Sequence, residues 1–185
     1  MSHTLLLDLR YFGDPVLREP SEPIATIDAD ILDLAQRMTA TMQAENGVGL
    51  AAQQIGRTAA ICVIGLPPEM DMDEEGRLVN EPVAMPLVLI NPRILQAAGD
   101  HWTREEGCLS FPDISGKITR PWTITLQYQD LTGETHKRTV HGMLARVIQH
   151  EIDHLNGVLF IDRMSHVKRL ALKGRLKRLK TAGGS

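Results

Sequence analysis

The apolar positions along this chain change their period several times, and each change marks an element. Residues 9 to 28 carry Gly13, Pro15, Pro20 and Pro23 among polar residues and read as an extended lead-in. Asp28 or Asp30 then caps a helix running to about Ala44, because Ile31, Leu34, Met38 and Met42 recur at helical spacing. Ala59 to Ile64 is an apolar strand. Leu87 to Asn91 is another, stopped by Pro92, with further strand material to about Thr103. Between these lies Gly65 to Pro86, which holds Pro67, Pro68 and Pro82 and the acidic cluster Glu69, Asp71, Asp73, Glu74 and Glu75. It reads as a solvated excursion. Trp122 to Gln129 and Thr135 to His141 alternate on either side of Asp130-Leu131-Thr132-Gly133-Glu134 and predict a hairpin, with His136 and His141 as ordinary strand residues. The period then returns to helical from about Gly142, with Met143, Leu144, Val147 and Ile148 on one stripe. Ser165 caps a last helix from His166 to about Lys180.

Composition narrows the class. A chain of 185 residues with 43% hydrophobic content suits one compact domain spanning 1–185. The net charge of −3 gives no bulk reason to expect DNA binding. Two cysteines, Cys62 and Cys108, are too few for a disulfide framework. Cys62 sits in an apolar strand and reads as core. Apolar runs are too short to span a bilayer, so no membrane is expected. The N-terminus Met1 to Asp8 lacks the basic and apolar regions of a signal peptide. A cytoplasmic setting follows, in which a thiolate stays available to a metal.

The chemistry concentrates in Gln149-His150-Glu151-Ile152-Asp153-His154-Leu155-Asn156-Gly157. On a helix, His150 and His154 stand one turn apart on one face, so both imidazoles reach one cation. Glu151 lies beside that face, placed to handle a proton of the attacking water rather than to bind metal. Catalytic sites of this type take three protein ligands and keep one position open. The metzincin extension of H-E-x-x-H fits as far as Gly157 and then meets Phe160, which cannot bind a metal. No glutamate follows Glu151, and only Asp162 and His166 remain downstream. The third ligand is therefore expected upstream. Cys108, in Glu105-Glu106-Gly107-Cys108-Leu109-Ser110, is the natural candidate, although a lone cysteine there is more often a small buried hydrophobe. Gly47 to Gln54 reads, by itself, as a turn with a tightly packed segment.

Three segments in order, Gly47-Val48-Gly49-Leu50-Ala51-Ala52-Gln53-Gln54, Glu106-Gly107-Cys108-Leu109-Ser110 and Gln149-His150-Glu151-Ile152-Asp153-His154, resemble the three signature motifs of the peptide deformylases. The lead-in Asp14-Pro15-Val16-Leu17-Arg18 is similar to that family's N-terminal region. The resemblance implies an α+β fold, mostly antiparallel sheets packed around the central H-E-x-x-H helix, with an N-terminal and a C-terminal helix. It implies hydrolytic removal of the N-formyl group from the N-terminal formylmethionine of nascent polypeptides. Cys108, His150 and His154 would bind one divalent metal, Fe(II) in the cell, with zinc, nickel or cobalt also able to occupy the site. Glu151 would move the proton, and the Gln54 side chain and the Leu109 backbone N–H would donate to the developing oxyanion. Gly47 and Gly49 would leave the backbone bare for an extended peptide, and Val48, Met143 and Val147 would line the methionine pocket. Arg146 departs from the apolar pattern of that helix and is expected to reach solvent or pair with a carboxylate. The basic run Lys168, Arg169, Lys173, Arg175, Lys177, Arg178 and Lys180 reads first as a solvated face. Its functional alternative is a contact with the ribosome.

Two rival readings share part of this pattern. A zinc endopeptidase would use the same helix, and Phe160 and the Gly-Cys-Leu segment speak against it. A catalytically silent metal-binding module would have lost Glu151, Gln54 or Cys108, and all three stand.

Overall fold

The computed structural model describes residues 6–183. The stretch Met1 to Leu5, on which most of the signal-peptide reading rests, lies outside the described residues. Five strands form one antiparallel sheet in sequence order: β1 (Gly49–Ala51), β2 (Ile61–Ile64), β3 (Leu87–Gly107), β4 (Ser115–Gln129) and β5 (Thr135–His141). The helices are α1 (Ala29–Ala44), α2 (Gly142–Leu155), α3 (His166–Ala171) and α4 (Lys173–Gly183). The fold is α+β, as the motifs imply.

The sheet is covered on both faces, and β2 shows why its sequence is apolar throughout. Ile61 and Val63 face α1 in a cluster with Ala35, Met38, Met42, Leu50 and Ile90. Cys62 and Ile64 face α2 in a second cluster with Leu89, Ile124, Leu144, Ile148 and Ile152. Alternation thus sorts side chains between two cores rather than between core and water. Asp28 caps α1 by accepting from Ile31 N–H at 3.1 Å. Met38 and Met42 are fully buried as predicted, whereas Ile31 and Leu34 are only partly so.

Helix α2 packs against β1, β2, β4 and β5, which makes it the centre of the molecule. It ends in a Schellman arrangement: Gly157 N–H donates to the His154 carbonyl and Val158 N–H to the Asp153 carbonyl, with Gly157 at φ 69°. A Cβ there would also stand 2.4 Å from the Arg18 carbonyl oxygen, so the position requires glycine. Phe160 lies in a third core cluster and meets Phe111 edge-on at 5.0 Å.

The chain departs from the sequence expectation in four places. Pro92 does not stop a strand at Asn91. β3 runs on to Gly107, and register shifts between Ile90 and Arg93 and at two later points absorb the missing N–H. β4 begins at Ser115 rather than Trp122, and together these extensions form a long β3–β4 arm. The Gly65 to Pro86 excursion is largely exposed but anchored: Asn80 is buried, donates to the His141 carbonyl and accepts from His141 N–H. The last helix is interrupted at Leu172, although Leu172 N–H to Lys168 O and Leu176 N–H to Leu172 O carry hydrogen bonding across the break.

Candidate metal centre and active site

The elements bring three soft or borderline donors together. Cys108 follows the last residue of β3, and His150 and His154 come from the inner face of α2. One ligand atom from each lies within 4.8 Å of the other two. Cys108 Sγ is 3.3 Å from His154 Nε2. His150 Nδ1 is engaged by Glu106 Oε2 at 3.0 Å, which leaves Nε2 as its free donor. Sulfur and imidazole are a donor set for zinc, iron, cobalt or nickel rather than for magnesium or calcium. The residues therefore fit the metal that the H-E-x-x-H reading requires. Asp162, a downstream alternative, is held by Arg18, with NH2 to Oδ1 at 3.0 Å, and by Leu159 N–H. His166 is exposed on α3. Neither joins the cluster. Cys62 is buried in the core, as expected, and burial pushes its thiol up.

Glu151 is buried, and its Oε2 has no hydrogen-bond partner among the described residues. Burial pushes its carboxyl up to about 7, against the opposing pull of His150 and Arg120. A carboxyl poised near neutrality suits proton transfer in both directions. Burial, followed by the charge of His150, drives His154 well below the ordinary histidine range, so it offers a neutral ring to a cation. Gln54 is also buried. Its Oε1 accepts from Ala51 N–H at 2.8 Å, which turns Nε2 toward Cys108 Sγ and Ser110 Oγ, each at 3.4 Å.

Behind the three donors lies a buried charge network, of which the sequence suggested only a carboxylate partner for Arg146. Glu106 Oε1 accepts from Arg120 Nε at 2.7 Å, and Oε2 from Arg120 NH2 at 2.9 Å. Arg120 NH1 reaches Asp153 Oδ2 at 2.8 Å, and Arg163 closes on the same carboxylate. Burial alone would raise the Glu106 carboxyl, but the bonds from His150 and Arg120 hold it well below the carboxylate range. Arg146 pairs with Glu106, one of the two outcomes expected for it, and does so while buried rather than at the surface.

The site opens into a cavity of about 710 Å³. Val48, Met143 and Val147 line it together with Gly47, Gly49 and Leu109, and so does Met70 of the excursion. A Cβ on Gly49 would stand 2.3 Å from Glu151 Oε1. The glycine thus makes room for the buried acid, a reason the sequence did not reveal. Gly49→Ala is expected to push the carboxylate out of place, retaining metal while lowering kcat by about 10²-fold. Metal analysis beside steady-state kinetics checks this, and near-normal kcat would contradict it.

The family model for polypeptide deformylase matches residues 6–170. The chain belongs to the peptide deformylase family. A peptide deformylase from Opitutus terrae is 46% identical over 177 residues, covering 94% of this chain and 92% of that protein. The crystal structure of a deformylase from Ehrlichia chaffeensis superposes with a TM-score of 0.85 at 35% identity, covering 96% of this chain and 98% of that one. The Synechococcus elongatus deformylase, solved in complex with actinonin, gives a TM-score of 0.80 at 40% identity over 94% of this chain and 85% of that chain. Deformylases are metal-dependent hydrolases that act on formylated nascent chains, and the three donors and the buried acid are the parts such an enzyme needs.

Proposed function

We propose that Cys108, His150 and His154 hold one divalent metal and that this centre removes the formyl group from N-terminal formylmethionine. The single observation that carries the assignment is the convergence of those donors within 4.8 Å beside a buried Glu151 whose Oε2 has no partner among the described residues. When bound, the metal acts as a Lewis acid that makes water a nucleophile near neutral pH. Glu151 takes the proton of the attacking water at its carboxylate and delivers it to the departing amine. Gln54 Nε2 and the Leu109 N–H donate to the formyl oxygen as it gains charge. Preset donors of this kind are worth about 3 kcal/mol each in the transition state. β1 stands at the end of the strand order, and its outer edge suits an extended peptide laid alongside Gly49. Val48, Met143 and Val147 receive the methionine side chain. Fe(II) is the metal we assign in the cell, with zinc, nickel or cobalt able to replace it.

Formate release from formyl-Met-Ala-Ser, compared with formyl-Gly-Ala-Ser and with the unformylated peptide, tests this reading. Burying methionine contributes about 1.5–3 kcal/mol, so kcat/KM for the formyl-Met peptide should exceed that for formyl-Gly by about tenfold or more. Cleavage of an internal peptide bond in the unformylated peptide would instead support the endopeptidase reading.

We further propose that the enzyme meets nascent chains at the ribosome, in the cytoplasm. No helix among the described residues is long and apolar enough to cross a membrane. Leu176 is buried, and Leu179 packs on the same core cluster, so α4 has an apolar inner face. Lys173, Lys177, Arg178 and Lys180 are exposed. Truncation would remove core residues, so charge substitution is the cleaner test. Lys177→Glu with Arg178→Glu and Lys180→Glu should weaken ribosome co-sedimentation at low salt, with a shallower salt dependence, and leave short-peptide turnover intact. Unchanged co-sedimentation would make this a solvated face only.

A further inference from the structure

Arg146 stands one turn before His150 on α2 and is only 3% exposed. Removing a guanidinium from water is costly, and an apolar residue on this helix would pack without that cost. Its hydrogen bonds reach three groups. NH1 donates to Glu106 Oε1 and, at 3.1 Å, to the Ile118 carbonyl, while NH2 donates to the Trp102 carbonyl. The Trp102 ring lies 4.9 Å from the guanidinium carbon. Trp102 and Glu106 belong to β3 and Ile118 to β4. All three therefore lie on the arm that leads into Cys108.

We propose that Arg146 is a positioning residue for the metal centre. It locks the arm carrying Cys108 to the helix carrying the two histidines, and it fixes the carboxylate that aims His150. The proposal rests on the reading of these three residues as ligands. Arg120 grips Glu106 with two parallel hydrogen bonds, but Arg120 belongs to β4 and sets the carboxylate relative to the sheet. Arg146 adds an anchor from the helix itself, on the oxygen that His150 does not use. Glu106 Oε2 then meets His150 Nδ1 at 3.0 Å in one fixed direction. The second histidine has no equivalent support, since His154 Nδ1 has no partner among the described residues. The register places the clamp level with Arg120: Trp102 pairs with Arg120, and Arg104 with Ile118.

The test is metal release from the loaded protein into excess chelator, with the visible absorption of the cobalt form as a second readout. Arg146→Met keeps the aliphatic length and removes every donor. Arg146→Lys keeps the charge and one donor head but cannot span three acceptors in a plane. Supporting groups behind metal ligands typically change affinity by about 10- to 100-fold. Release should accordingly quicken by about tenfold in Arg146→Met and by less in Arg146→Lys, with the cobalt spectrum altered in both. Wild-type release rates and spectra in both variants would overturn the proposal, whatever happens to Tm. Should Arg146→Met fail to fold, Arg146→Lys decides on the same two readouts. Cys108→Ala run alongside separates the two claims. If it keeps its metal, the ligand reading fails; if it loses metal while both Arg146 variants match wild type, only the positioning role fails.

Discussion

Glu151→Ala is expected to retain metal and to lower kcat by about 10²–10⁴-fold, the usual contribution of a positioned general acid–base group. The expectation follows from where the carboxylate sits. It is buried beside the candidate ligands, its Oε2 has no partner among the described residues, and Gly49 keeps the space that its other oxygen occupies. Among the described residues, Oε2 has no hydrogen bond to lose. Removing it should therefore cost turnover without costing the centre. Metal content by elemental analysis and kcat on a formyl-Met peptide check this together. Metal loss in Glu151→Ala would make it a ligand or a support for one, and near-normal kcat would remove it from the reaction.

Cys108→Ala should behave in the opposite way, losing metal and activity together. One of three donors is gone, and the remaining histidines keep only nitrogen to offer. On a metal, Cys108 would be the one donor of the three to bring a formal negative charge. Its loss should weaken metal binding by at least the 10- to 100-fold typical of mere supporting groups. Activity at a fixed, limiting metal concentration should fall in proportion, and excess metal should restore only part of it. Full metal content in the purified variant would contradict the assignment.

The site was more legible in the sequence than the fold around it, and the reason is range. His150, Glu151 and His154 lie within five positions on one helix, so helical geometry alone puts the two rings on one face. Cys108 could be suggested because Phe160 fails as a ligand, and Phe160 indeed packs in the core against Phe111. The supporting network was out of reach. Glu106 meets His150 across 44 positions, and Arg120 meets Asp153 across 33, through packing of strands on α2 that no local pattern encodes. The extent of β3 was misjudged, because Pro92 reads as a stop in the sequence and is absorbed by a bulge in the sheet. Gly49 illustrates the same limit. Its bareness was ascribed to the approach of a peptide, and the nearest obstacle to a side chain is the Glu151 carboxylate, 102 positions later in the chain. Arg146 was singled out as a departure from an apolar face, but its role depends on partners from both strands of the arm.

Metal-free protein titrated with Fe(II) under nitrogen, with formate release and bound metal followed in the same samples, tests the central claim most directly. The account predicts no formate release from formyl-Met-Ala-Ser without metal, a linear rise on addition, and saturation at one metal per chain. Full turnover in chelator-treated protein that holds no metal, or saturation only at a second equivalent, would contradict it.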